Sequence, residues 1–105
     1  MNKIKLKLEY KCFPMWIYDK NDSLINNDLV DELKNNDTLD FLLVSIQEDF
    51  DNLFINDGRE FRYEGFCDNN AKETFRKKVQ DAYSVIKNKV GEDYVIENLI
   101  DINEL

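Results

Sequence analysis

The chain has 105 residues, a hydrophobic fraction of 43% and a formal net charge of −8. This length predicts a single domain, residues 1–105, with one modest core, and the apolar content argues against a disordered chain. A sequence pI near 4.5 disfavours nucleic acid and anionic membranes as partners, because both would repel the chain.

The two cysteines and the amino-terminal segment predict a cytoplasmic protein. Cys12 and Cys67 have no CxxC spacing and there is no histidine, which favours reduced, mostly buried thiols, although the sequence leaves a disulfide between them open. The amino terminus alternates lysine with aliphatic residues and lacks the apolar core of a signal peptide. No apolar run approaches the roughly 20 residues of a membrane span.

Strict alternation of apolar and charged residues over positions 3–12 predicts a half-buried strand. Pro14 interrupts the pattern, and a second strand is predicted at 15–19. A polar turn at 19–23 then leads into residues 24–25, which are expected to pair back and complete a meander. The face turned away from the core is expected to carry Lys3, Lys5 and Lys7.

The segment from Asp28 to Asp57 contains nine carboxylates and one base, Lys34, so its net charge of −8 equals that of the whole chain. Apolar residues at steps of three and four predict an amphipathic helix over 38–55, with Asp37 or Thr38 as its N-cap. A short helix is predicted just before it, capped within Asn26–Asp28 and carrying Leu29, Val30 and Leu33. The stripe of the main helix is Leu39, Leu42, Leu43, Ile46, Phe50, Leu53 and Phe54.

The second half of the chain predicts a third long strand at 59–66, a second long helix at 70–90 and a last edge strand within 94–100. Asp68–Asn70 supplies N-cap residues for this helix, and Gly91 is expected at its C′ position. The fold class is therefore α+β: a mainly antiparallel sheet, with strands 3–12, 15–19 and 59–66, on which two long amphipathic helices and one short helix pack. The strand order stays open. The helix residues expected to be buried are Leu42, Ile46, Phe50, Val79 and Ile86.

The residues that usually carry catalysis or hold metals are scarce. There is no histidine, and three glycines do not form a phosphate-binding loop. Asp19, Asn21 and Ser23 resemble the first ligands of a calcium loop, but Leu24 and Val30 stand where that loop needs glycine and glutamate. We therefore expect no enzymatic activity, no cofactor and no metal.

The face of the acidic helix opposite its apolar stripe carries Phe41 and Val44 among Asp40, Glu48 and Asp51. Apolar residues ringed by carboxylates suit a basic partner surface. In the alternative, Phe41 and Val44 pack under the short helix. Trp16 and Tyr18 raise the same question on the second strand, where core packing is favoured for the tryptophan. The predicted partner-binding residues are Asp31, Glu32, Asp40, Phe41, Val44, Glu48, Asp49 and Asp51.

Four segments carry a resemblance to a known class of proteins. The opening LEYKCFPMWIYD, the acidic helix ending in DNLF, the strand GREFRYEGF and the following amphipathic helix resemble small acidic bacterial immunity proteins of polymorphic toxin systems, of the contact-dependent inhibition or type VII kinds. The resemblance implies a cytosolic, non-catalytic inhibitor that binds the active site or substrate groove of a cognate toxin, often a basic nuclease.

Other functions fit the same acidic face. An acidic nucleic-acid mimic, or an antitoxin-like regulator of a DNA-binding protein, would use these carboxylates in the same way, and a small cytosolic domain with another ligand would instead need a pocket. The sequence leaves the oligomeric state open.

Overall fold

The larger sheet has four strands and holds both ends of the chain together. In the computed structural model, which describes residues 1–105, β1 (Lys3–Leu6), β2 (Met15–Tyr18) and β3 (Leu24–Asn26) form the predicted antiparallel meander. The carboxy-terminal strand β6 (Val95–Asn98) pairs with β1 in parallel, which gives the order β3-β2-β1-β6. The predicted last edge strand is confirmed, and the sheet is mixed, with one parallel pair.

The first strand ends at Leu6, so the prediction that it continues to residue 12 is wrong. The amide of Lys7 still donates to the carbonyl of Pro14, but the chain then turns. The amide of Cys12 donates to the carbonyl of Glu9, and Lys11 has a φ of 63°. A longer strand would leave its outer half without a partner, because the antiparallel neighbour begins only at Met15. Within β1 the side chains face as predicted, since Ile4 and Leu6 are buried.

The first long helix, α1 (Asp37–Asp51), begins one residue after its N-cap Asn36, whose side chain accepts from the amide of Leu39. The prediction that α1 continues to residue 55 is wrong. Phe54–Asn56 forms strand β4, and the carbonyl of Leu53 accepts two amides from the segment after β5 (Phe61–Tyr63). Apolar residues at 50, 53 and 54 fit a helical stripe as well as a helix end followed by a strand.

Strands β4 and β5 form a separate hairpin, so the expected long third strand at 59–66 in the main sheet is wrong. The turn between them follows the predicted chemistry: Gly58 has a φ of 86°, and the Asp57 carboxylate accepts from the amides of Arg59 and Glu60.

The second long helix, α2 (Asn69–Val90), is confirmed, with Asp68 as its N-cap. Gly91 ends it at a φ of −64°, which is not the left-handed conformation of a C′ glycine, so that detail is wrong. No helix in the structure combines the length and apolar character that crossing a membrane requires.

One hydrophobic core joins the inner face of the sheet to both long helices. It includes Ile4 and Met15 from the sheet and Ile46 and Ile86 from the helices. Phe50 and Val79 are also buried as predicted, whereas Leu42 is only half-buried. The predicted short helix is a single 3₁₀ turn, Asp31–Leu33, capped at Val30 without a side-chain bond rather than within Asn26–Asp28.

Both cysteines are free thiols. Cys12 is half-buried, but Cys67 is exposed, so the expectation of mostly buried thiols is wrong for Cys67.

Candidate functional site

The outward side of α1 forms a continuous surface of carboxylates and two apolar side chains. Residues three and four apart lie next to one another on a helix, so the surface covers almost the full length of α1. Phe41 is 78% exposed and Val44 is 36% exposed, although both are apolar. We call this surface the acidic helix face; it comprises Asp37, Asp40, Phe41, Val44, Glu48 and Asp51.

The structure decides between the two predicted positions of Phe41. Leu29, Val30 and Leu33, which were expected to cover it in the alternative, are themselves buried in the main core. Phe41 instead projects into solvent among carboxylates, so the alternative in which it packs under the short helix is wrong. An exposed phenylalanine of this kind is a candidate anchor for a partner.

Three carboxylates of this face have no counter-ion in the chain. Asp37, Asp40 and Glu48 are exposed and take part in none of the ten ion pairs of the structure. Their negative field therefore extends into solvent, where it attracts cationic molecules.

Three other carboxylates from the predicted binding set have partners inside the chain. Asp49 lies on the side of α1 turned towards α2, where Lys78 Nζ approaches its Oδ2 atom to 2.6 Å. Asp31 pairs with Lys34 at 3.5 Å. Glu32 accepts a hydrogen bond of 2.7 Å from the Tyr94 hydroxyl. The structure thus unites five of the predicted residues on one helix face and separates Asp31, Glu32 and Asp49 from them.

The surroundings of Tyr94 stabilise the protonated form of its phenol. Burial and the hydrogen bond to the Glu32 carboxylate raise the pKa of Tyr94 to about 12, because both disfavour the phenolate. This contact fastens the start of the last strand to the 3₁₀ turn, which is a structural role for Glu32.

A second exposed surface lies on the hairpin and was not predicted. The ring of Phe54 stacks on Phe61 with centroids 5.1 Å apart, and Tyr63 meets Phe54 edge-on at 5.3 Å. Tyr10, from the loop after β1, packs against Phe61 at 4.7 Å. We call Tyr10, Phe54, Phe61 and Tyr63 the hairpin aromatic cluster. Its sequence signal was the apolar pair Phe61 and Tyr63, two apart and just after an Asp-Gly turn.

The acidic helix face and the hairpin aromatic cluster meet at Asp51. The Oδ1 atom of Asp51 accepts the backbone amide of Lys11 at 2.9 Å, and this bond holds the loop that carries Tyr10 against the end of α1. Phe50, the residue before Asp51, contacts Phe54 at a centroid distance of 5.2 Å. The two surfaces therefore adjoin at the carboxy-terminal end of α1.

The aromatic residues on the outer face of the main sheet are covered by lysine side chains of the same sheet face. Trp16 is only 8% exposed, and its Nε1 donates to the carbonyl of Lys7 while the Lys7 ammonium lies 4.6 Å from the indole. Lys5 covers Tyr18 in the same way, at 4.5 Å. Trp16 is therefore buried, as predicted, but beneath a lysine rather than within the main core.

Two other features that could form a site are occupied by contacts within the chain. The Asp19 carboxylate, considered as a calcium ligand, accepts from the amides of Asn21 and Ser23 and so closes its own turn. A cleft of about 630 Å³ lies between the hairpin and α2, but its charged residues have partners: Asp49 pairs with Lys78, and Glu64 pairs with Arg62.

Comparison with known protein families identifies the class to which this acidic α+β chain belongs. A family described as Serratia CdiI immunity protein-like matches residues 2–99, a range that includes both surfaces. The chain belongs to this family. Membership of the CdiI immunity protein-like family confirms the predicted resemblance to contact-dependent inhibition immunity proteins and indicates a toxin-neutralising function. No curated protein and no solved structure matches the chain.

Proposed function

We propose that this chain is a non-catalytic immunity protein that binds its cognate toxin domain in the cytoplasm through the acidic helix face. The observation that carries the proposal is the exposed, unpaired set Asp40, Phe41 and Glu48 on a chain of an immunity protein-like family. Carboxylates without internal partners favour a basic partner, and an exposed aromatic ring favours a contact that removes it from water.

The proposed partner is a basic nuclease domain. A nuclease binds phosphates, so its groove is positive and attracts an acidic cover. Complementary charge raises the association rate constant towards about 10⁸–10⁹ M⁻¹s⁻¹ at low salt. Fast binding of this kind protects a cell against a lethal enzyme. Once bound, α1 would occupy the groove and exclude nucleic acid without any chemical step.

Phe41 and Val44 supply the apolar part of this contact. Side chains at the centre of an interface contribute most when surrounding polar residues exclude water from them. On α1 the two apolar side chains lie between Asp40 and Glu48, which are the candidates for that surrounding ring. The carboxylates would then govern the rate of association, and Phe41 the lifetime of the complex.

The test is co-expression of the cognate toxin domain with wild-type protein or with the variant D40K/E48K. We expect the variant to lose protection, because it turns two attractive contacts into repulsive ones. The matched control is D81K/E92K, which changes two exposed acids outside the acidic helix face. Each acid-to-lysine change adds two charges, so both variants shift the net charge from −8 to −4.

Circular dichroism should show that both variants are folded, since the substituted side chains are exposed and lie outside the core. Full protection by folded D40K/E48K would overturn the proposal. Equal loss of protection in both variants would also overturn it, because the effect would then follow net charge rather than the acidic helix face.

A further inference from the structure

The hairpin aromatic cluster contains two of the three aromatic side chains that are strongly exposed in the molecule; the third is Phe41. Phe61 is 53% exposed and Tyr63 is 44% exposed, although both belong to one packed group of four rings. The other strongly exposed apolar side chains of the sheets, such as Leu24 and Val95, are aliphatic and lie on edge strands. Exposed apolar patches of this kind mark interaction sites.

The cluster is held rigidly. The carbonyl of Leu53 accepts the amides of Glu64 and Gly65, which closes the base of the hairpin. On the opposite side of the hairpin, Arg62 pairs with Glu60 and Glu64, so the charged residues of β5 and its flanks are engaged away from the rings. A preorganised aromatic surface binds with a small loss of conformational entropy.

From this rigidity and from its junction with the acidic helix face at Asp51, we infer that the hairpin aromatic cluster is a second contact region for the same basic toxin domain. The inference rests on the proposed function, because it assigns a role to surface next to the acidic helix face. Its partner chemistry is an arginine-bearing surface: guanidinium groups stack on aromatic rings and also pair with carboxylates, and here both kinds of group adjoin.

The division of roles follows from the chemistry of each region. The carboxylates of the acidic helix face act over long distances through charge and should mainly set the association rate constant. The hairpin rings, like Phe41, act only at contact and should mainly set the dissociation rate constant. The carboxylates and the hairpin rings are therefore separable by kinetics.

The variant F61T/Y63T removes two rings and introduces threonines, which are β-branched and suit a strand. Its matched control is L24T/I25T, which removes two side chains that are 54% and 55% exposed on another edge. Binding of each protein to the purified cognate toxin domain is measured at two salt concentrations, with D40K/E48K in parallel.

We expect F61T/Y63T to raise Kd by about 30-fold or more, as for an aromatic hot spot, through faster dissociation and with an unchanged salt dependence of association. D40K/E48K should instead slow association and weaken its salt dependence, and L24T/I25T should bind like the wild type. If Phe61 and Tyr63 can be replaced in a folded protein without faster dissociation, the inference is wrong while the proposed function stands. If the wild type does not bind the toxin domain, the proposed function fails and the inference fails with it.

A second measurement tests the arginine chemistry without the toxin. Hexa-arginine and hexa-lysine peptides carry equal charge, so the acidic helix face attracts both, but only guanidinium groups stack well on rings. We expect the wild type to prefer hexa-arginine and F61T/Y63T to lose that preference. Equal binding of the two peptides by the wild type would overturn the assignment of an arginine-bearing partner surface.

Discussion

The outer face of the main sheet and the acidic helix face are both charged and both carry an aromatic residue, yet they differ in how the charge is balanced. On the sheet, Lys3 and Lys5 pair with Asp22 at 2.9 and 3.2 Å, and Lys7 lies over the ring of Trp16. On α1, neither Asp40 nor Glu48 has a counter-ion, and no side chain shields Phe41 from solvent.

This difference shows that a row of like charges indicates a binding surface only where those charges are not paired with other residues of the same chain. The lysine row is largely balanced within the chain, and its aliphatic stems cover aromatic surface, so it stabilises the fold. Asp37, Asp40 and Glu48 of the acidic helix face make no ion pair within the chain, and like charges at helical spacing repel one another. Such an arrangement is expected where an external partner supplies the opposite charge.

Replacing the aromatic residue of each face should give the largest contrast. Trp16→Ala should lower the free energy of unfolding by about 3–5 kcal/mol, because it removes a buried indole and its hydrogen bond to Lys7. Phe41→Ala should change it by no more than about 0.5 kcal/mol, since that ring lies in solvent. Urea unfolding of both variants measures the contrast, and equal losses would contradict it.

A smaller contrast is expected between neighbouring acids of α1. Asp49→Asn should lower the free energy of unfolding by about 0.5–1 kcal/mol, because it removes the charge that faces Lys78 in a partly exposed ion pair. Glu48→Gln is the matched control and should be close to neutral, since Glu48 has no ionic partner and lies on the same helical turn. Thermal melts compare the two, and a larger loss in Glu48→Gln would show that the acidic helix face is needed for folding.

The smallest expected effect is on the stability at acid pH, through Asp22, which pairs with the lysines of the sheet face. Hydrogen bonds from Lys3 and Lys5 hold the pKa of Asp22 below its usual value of 3.8. The resulting stabilisation is present above pH 3.8 and is lost as pH falls through the lower folded value. Asp22→Asn should therefore flatten the loss of stability between about pH 5 and pH 2, as measured by urea unfolding. Parallel wild-type and variant curves would contradict this.

Much of the fold could be predicted because its signals are local. Alternation over Lys3–Leu6 and a period of three to four over Leu39–Phe50 arise from strand and helix geometry, and the Asp68 cap of α2 uses a side chain only three residues from the amide it accepts. The cap of α1 was predicted at Asp37 or Thr38 but is Asn36. The predictions failed where one pattern fits two structures. Phe54 extends a helical stripe in sequence, but in the structure it follows the end of α1 and faces Tyr63 in a hairpin.

The candidate site could be predicted only in part for the same reason. The position of Asp40, Phe41 and Glu48 on the outer side of α1 follows from helical spacing. The engagement of Asp49 by Lys78, 29 residues away, does not, and neither does the meeting of Tyr10 with Phe61.

By itself the sequence determined the α+β class, the outward lysines of the first strand and the concentration of negative charge in the segment that forms α1. The tertiary structure decided which of those carboxylates remain free, that Trp16 is covered and Phe41 is not, and that Tyr10 joins the three aromatic residues of the hairpin in one surface. The physical reason is the separation in sequence between the residues that interact. Backbone geometry and neighbouring side chains set the local periods, whereas ion pairs and ring contacts between remote residues exist only after the core has fixed how the sheet, the helices and the hairpin pack.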